Sequence, residues 1–196
     1  MAARSTRTHD PQDTRAAIVR AALELMSERS YDGTAVPDVA ARAGVAAGTM
    51  YRHFKGKEAL VNAVYRECKL SMHRFLIEAI AGAPSPREGF RRLWRGLWEF
   101  SRKHSEAFRF LEMHRHLPYL EPASREVSNS VMEGVATFVR SAQAEGAIRE
   151  GPPEVLIALA FGAFVGLAKE SEAGLTRLDE ETIALSEEAV WGLLAA

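Results

Sequence analysis

The sequence predicts an all-α protein of about nine helices, three in a small N-terminal unit and the rest in a larger C-terminal one. Three observations lead there. Apolar residues recur at helical spacing in successive segments, as in Phe90, Leu93, Trp94, Leu97 and Trp98. Proline and glycine separate those segments, at Gly44, Gly82 to Pro86, Gly146 and Pro152-Pro153. Thr34 to Leu60 reads as two short helices crossed at a glycine turn, followed by the start of a long helix.

The first helix should run from Pro11 to Arg29, with Asp10 as its cap and Ile18, Ala22, Leu25 and Met26 as its apolar stripe. The second should run from Pro37 to Ala43. Pro37 suits a first helical position, Asp38 faces the positive end of the helix dipole, and Val39, Ala40 and Ala43 share a face. Gly44 supplies the left-handed residue that ends this helix, and Val45 plugs the gap before a third helix from Ala47 to about Phe54. Two such helices form a helix-turn-helix, whose second member is shaped to enter the major groove of DNA. Residues 1–9 lack periodicity and read as a tail, the alternative being an arm in which Arg4 and Arg7 touch DNA.

A fourth helix, Lys57 to about Ala81, is long enough to join this head to the body, with Val61, Val64, Cys68, Phe75 and Leu76 near one side. The chain thus divides into arm and helix-turn-helix over 1–56, a connecting helix over 57–81 and a second unit over 82–196. In that unit a strongly amphipathic fifth helix spans Pro86 to Lys103, and Ser105 is the expected cap of a sixth that carries Phe108, Phe110, Leu111 and Met113. A seventh spans Pro122 to Glu145, with Val131, Val135, Phe138 and Val139 as its apolar positions. The eighth, Pro153 to Glu172, is apolar nearly all round, so both its faces should be buried; Ala158, Gly162 and Gly166 make a small-residue stripe along it. A ninth starts at Asp179 or Thr182 and offers Leu185, Ala189 and Trp191 among its surface-forming residues.

Composition narrows the function. The net charge of −1 conceals a head (residues 1–57) of +3 on a body (58–196) of −4, which suits a protein presenting one end to a polyanion. A single cysteine excludes an internal disulfide and suits the cytoplasm; at an apolar helix position Cys68 reads as core rather than as a redox sensor. The N-terminus lacks the apolar segment of a secretory signal, and the run Val155 to Ala168 is too short and glycine-rich to span a membrane. Glu112, His114 and His116 do not share a helix face, so no metal site or cofactor is expected. Ser101, His104, Glu112 and His114 fit no nucleophile motif, so an enzyme is not expected either.

AGVAAGTMYRHFKGKEAL, residues 43–60, resembles the DNA-binding signature of the tetracycline-repressor (TetR) family of bacterial regulators, at Ala43-Gly44-Val45, Gly48, Tyr51, His53-Phe54, Lys57-Glu58 and Leu60. The likeness covers about residues 13 to 66. It implies DNA contacts from Thr34, Ala46, Ala47, Gly48, Thr49, Tyr51, Arg52, His53 and Lys57. Of these, Thr49 and Arg52 are the candidates for base edges, with a phosphate or solvent role the equal alternative for Arg52, and Tyr51, His53 and Lys57 are the candidates for phosphate. The chain departs from the family at Ala35, Ala46 and Gly56, where polar helix caps are usual; phosphate oxygens are the expected substitute partners.

The resemblance further implies a small-molecule pocket among helices 4 to 8. Its candidate lining is Phe75, Trp94, Trp98, Phe110, Met113, His114, Met132, Phe138, Phe161 and Phe164, which suits a largely apolar effector. It also implies a homodimer through helices 8 and 9, at Ala158, Gly162, Gly166, Leu185, Ala189 and Trp191, set on double-stranded, near-palindromic operator DNA. The expected function is a ligand-responsive transcriptional regulator, most often a repressor. The alternative is a constitutive or structural DNA-binding regulator with a filled core.

Overall fold

The computed structural model describes residues 11–114 and 116–196, so the expectations for Asp10, Arg4 and Arg7 lie outside the described residues. Among the described residues there are nine α-helices: α1 Pro11–Arg29, α2 Val36–Arg42, α3 Ala47–His53, α4 Lys57–Ile80, α5 Pro86–Lys103, α6 Ser105–Met113, α7 Pro122–Ala144, α8 Pro153–Glu172 and α9 Glu180–Leu194. A short 3-10 turn, Leu117–Tyr119, precedes α7.

Local chemistry accounts for the boundaries. At the end of α2, Gly44 takes φ 69°, Val45 N–H donates to Ala40 O and Gly44 N–H to Ala41 O, the double bond pattern of a glycine-terminated helix. Ser85 Oγ accepts from Glu88 N–H to open α5, and Asp179 Oδ1 accepts from Thr182 N–H to open α9. Ser105 is not the cap of α6: it is the first helical residue, and His104 ends α5 and begins α6 at once. The chain therefore turns between two helices with no linker.

The head packs Ile18, Ala22, Leu25 and Met26 of α1 against Val39, Met50, Phe54 and Leu60, all buried. The body centres on α5. Trp94, Trp98 and Phe100 are fully enclosed, and Trp98 meets Phe164 of α8 edge-on with 4.5 Å between centroids. Trp94 Nε1 donates to Ser186 on α9, whereas the buried Trp98 Nε1 has no hydrogen-bond partner among the described residues. α8 is less enclosed than its composition suggested. Only Leu156, Phe164 and Ala168 are buried, while Val155 and Leu159 stand half exposed, because the neighbouring helices pack on one side of it only.

Head and body meet along the first half of α4, which is about 36 Å long at 1.5 Å per residue. Asn62 is 0 % exposed; its Nδ2 donates to Glu58 O and Tyr119 O, and its Oδ1 accepts from Glu121 N–H. One turn on, Arg66 binds Glu121 and Ser124 Oγ. Tyr119 stacks on Tyr31 of the head at 4.4 Å. His116 Nε2 lies 2.5 Å from Phe110 O, so that nitrogen carries the proton, and Nδ1 accepts from Tyr119 Oη–H at 2.8 Å.

Burial holds the His116 ring neutral and lowers its pKa from 6.5 to about 4. Between those values the unfolded chain binds a proton that the folded chain refuses, so this contribution is full above pH 6.5 and fades as pH falls toward about 4. Urea unfolding at neutral pH and at about pH 5 should show the loss, and His116→Gln should reduce it. Asn62→Ala leaves the Tyr119 carbonyl and Glu121 N–H without partners, at a cost of about 2–4 kcal/mol that thermal unfolding will read as a lower Tm.

Candidate DNA-contacting face and effector cavity

α3 presents a surface of small residues with a few long ones beside it. Ala46, Ala47, Gly48, Tyr51 and Arg52 are exposed, and Thr49, His53 and Lys57 partly so. Met50 and Phe54 point inward and are buried in the core of the head. No atom would meet a side chain added at Gly48, so a flat partner can approach the backbone there. Arg52 Nη2 reaches Thr49 Oγ1 at 3.4 Å, pairing the two candidate base readers on one edge. Among the described residues no carboxylate neutralises Arg52, Lys55 or Lys57, whereas Arg29 and Arg42 are paired with Asp38 and Glu24. Lys57 Nζ instead lies 4.3 Å above the Tyr31 ring, which orients the cation and leaves its charge unneutralised.

Thr34 does not belong to this surface. It is 2 % exposed and its Oγ1–H donates to Ser30 O. Ser30 holds φ 64°, a left-handed position that costs a non-glycine residue about 1–2 kcal/mol, and a side chain at Gly33 would sit 2.3 Å from Arg29 O. The threonine therefore steadies a tight turn. Ala35, Ala46 and Gly56 stand at the N-caps of α2, α3 and α4 with no side-chain cap bond, as the sequence indicated.

A cavity of about 230 Å³ opens between α4, α5, α7 and α8. Of the predicted lining, Trp94, Met132, Phe138 and Phe161 reach it. The others lie elsewhere for identifiable reasons. Trp98 and Phe164 close on each other and on Phe108 in the core beneath it. Phe75 turns to Phe100 and His104, Phe110 packs on His116, and Met113 is partly buried against the core away from the cavity. His114 Nε2 faces Ser27 O of α1 at 3.3 Å. Sequence reasoning missed Lys69, Met72, His73, Leu76, Ile77 and Ile80, the cavity face of α4. Their i, i+3, i+4 spacing was readable, but a second apolar stripe on the same helix, which faces α1 and α6, masked it.

Gly162 and Gly166 are exposed and have open space beside them, and Ala158 is both exposed and part of the cavity wall. Leu185 (68 % exposed) and Ala189 continue the exposed apolar surface on α9. Trp191 does not: its ring packs 5.4 Å from Phe90 beneath the Arg87 guanidinium, which also binds Glu187. Cys68 is buried, and burial pushes its thiol up to about 12, which leaves almost no thiolate. Among the described residues no cluster of metal-ligating side chains occurs, and no helix is long and apolar enough to cross a membrane.

Two family models together span nearly this whole arrangement. The one described as bacterial regulatory proteins of the tetR family matches residues 18–64, and the one described as the tetracyclin repressor-like C-terminal domain matches residues 65–195. The chain belongs to the TetR family. It is a helix-turn-helix, DNA-binding transcriptional regulator and not an enzyme, and membership implies operator DNA binding and dimerisation. It is 24 % identical over 149 residues to a helix-turn-helix transcriptional regulator of Haemophilus influenzae, covering 76 % of this chain and 78 % of that one. It is 38 % identical over 65 residues to a helix-turn-helix transcriptional repressor of Mycobacterium tuberculosis, 33 % of this chain and 35 % of that one. The crystal structure of a TetR-family regulator from Marinobacter aquaeolei superposes with a TM-score of 0.84 at 22 % identity, covering 93 % and 95 % of the two chains.

Ala46 has φ −67° and ψ 146°, the backbone of a capping residue without the hydroxyl. Ala46→Ser should stabilise the free protein by about 0.5–1 kcal/mol in thermal unfolding. It should not tighten operator binding; a tighter complex would refute the idea that DNA oxygens take the place of the missing cap.

Proposed function

We propose that this TetR-family chain is a ligand-responsive repressor, which a small, largely apolar effector releases from a near-palindromic operator. One observation carries the reading: the cavity is walled by α4 and α7, and those helices, through Asn62 and Arg66, also hold the junction with the head. A ligand that changes their separation acts on the head through the same hydrogen bonds. Such coupling is reciprocal, so the effector binds the DNA complex more weakly than the free protein. The open cavity argues against the constitutive alternative, which requires a filled core. The repressor named among the relatives matches over 65 residues of this chain, and it lends the sign of regulation its support.

On this reading Thr49 and Arg52 address base edges, while Tyr51, His53 and Lys57 take phosphates and account for salt dependence. Ala46, Ala47 and Gly48 allow close approach, and Thr34 keeps only its structural role. Helices α8 and α9 pair with a second copy through Ala158, Gly162, Gly166, Leu185 and Ala189, joined by Val155 and Leu159, whose exposed apolar surface needs a cover. A two-fold pair would place two copies of α3 about one DNA turn apart.

Selection of bound fragments from random DNA should return inverted repeats. Leu185→Glu should yield monomers by sedimentation and lower affinity for the selected fragment by roughly tenfold or more, since each half-site then binds alone. Recovery of single, unrepeated sites by the unaltered protein would overturn the dimeric reading.

A further inference from the structure

The lining of the cavity is apolar except at Lys69, His73, Ser128 and Glu154, apart from the Trp94 indole, whose N–H is already bonded to Ser186. The polar groups are not scattered. Helices α4 and α7 run side by side in the same direction, as the pairs Asn62–Glu121, Tyr65–Ser128 and His73–Gly134 show. Lys69 and Ser128 are the first cavity residues on their respective helices, so both lie at the end nearest the head, with His73 one turn below Lys69. Glu154, in the first turn of α8, is exposed at the opposite end. Between the ends the α4 wall runs from Lys69 to Ile80, about 16 Å at the helical rise, past Leu76, Ile77, Val135 and Phe138.

Among the described residues Lys69 is the one Lys or Arg lining this cavity, and it is already engaged. Its Nζ lies 3.4 Å from Glu112 Oε1 on α6, with the two side chains only 16 % and 12 % exposed. The contact is long and leaves the ammonium with donors to spare. A neutral ligand would leave the pair alone, and a cationic one would meet Lys69 with a like charge. An anion entering so apolar a space needs a cation at once, because an unpaired buried charge is costly.

Resting on the effector reading above, we propose that the cavity selects an acid with a slender apolar tail, whose carboxylate bonds the donors of Lys69 that Glu112 leaves free. The tail lies along α4 toward Ile80, Ser128 O–H supplies a second donor, and no bulky polar head finds partners. The shared cation also turns charge into a signal. Glu112 belongs to α6, which packs on α1, and His114 two residues on faces Ser27 O. Binding of the acid thus makes the one α4–α6 ion pair found among the described residues share its cation with the ligand, and a neutral molecule of the same shape does not.

Full-length protein is titrated with decanoic acid, decanol and decylamine, with thermal shift and release of a selected operator fragment as readouts. The acid should bind roughly tenfold or more tightly than the alcohol, and only the acid should release DNA at concentrations that saturate the cavity. Lys69→Met, of similar volume, should equalise acid and alcohol, and Glu112→Gln should tighten the acid. The chain-matched series on the unaltered protein decides the matter even if a variant folds poorly. Equal binding of acid and alcohol, with DNA released by both, would overturn this proposal and keep the effector reading. Failure of every compound to stabilise the protein would overturn both.

Discussion

Asn62 is enclosed on every side, so its amide has no water to bond when its protein partners are missing. All of its strong positions are taken by backbone: Glu58 in its own helix, Tyr119 before α7 and Glu121 at the start of α7. A fully satisfied buried amide permits one register between the helix that carries the head and the segment that leads into the body. Around it, the Tyr31–Tyr119 stack and the His116–Tyr119 hydrogen bond extend the same register into the head and into α6. The junction is therefore polar and directional where both neighbouring cores are apolar. On the proposed function, such a joint would carry a change in the body to the head.

That joint was the least legible part of the chain. The helices themselves were readable because Pro11, Pro86, Pro122 and Pro153 sit near their starts and Gly44, Gly82 and Gly146 follow their ends, where backbone chemistry decides the matter locally. The head core of Met50, Phe54 and Leu60 was readable for the same reason: one face per short helix. Asn62, by contrast, has no periodic signature, and its partners are more than fifty residues away. The cavity was partly hidden by α4, which buries Val61, Val64 and Cys68 against the head and α6 but gives Met72, Leu76 and Ile80 to the cavity. A helix with two apolar stripes reads as a helix, but the sequence does not say which stripe meets which neighbour.

The aromatic residues illustrate the same limit. Phe75, Phe110 and Phe164 are as large and apolar as Phe138 and Phe161, but the former complete the core and the latter wall a space. Composition sets how much aromatic volume the body holds; only the helix crossings decide where packing stops short. Thr34 failed in the opposite way. A threonine beside a DNA-reading helix suits phosphate, but the left-handed Ser30 four residues earlier needed its hydroxyl first.

α8 joins the body's two unfinished surfaces. Its inward residues Leu156 and Phe164 anchor it to the core, Ile157 and Phe161 wall the cavity, and Val155, Leu159 and Gly162 look outward. Ala158 does both, standing in the cavity wall and on the exposed stripe. A second copy laid on that stripe would therefore back the cavity wall without contributing a side chain to its polar end. Filling the cavity would then press outward on the same helix that, in the proposed dimer, would set the spacing between copies. On the proposed dimer the distance between two DNA-reading helices would be governed from two places at once, the hydrogen-bonded joint at Asn62 and the exposed face of α8. A small ligand between α4 and α8 would bear on α4 from Lys69 onward, beyond Asn62, and on α8 at Ala158.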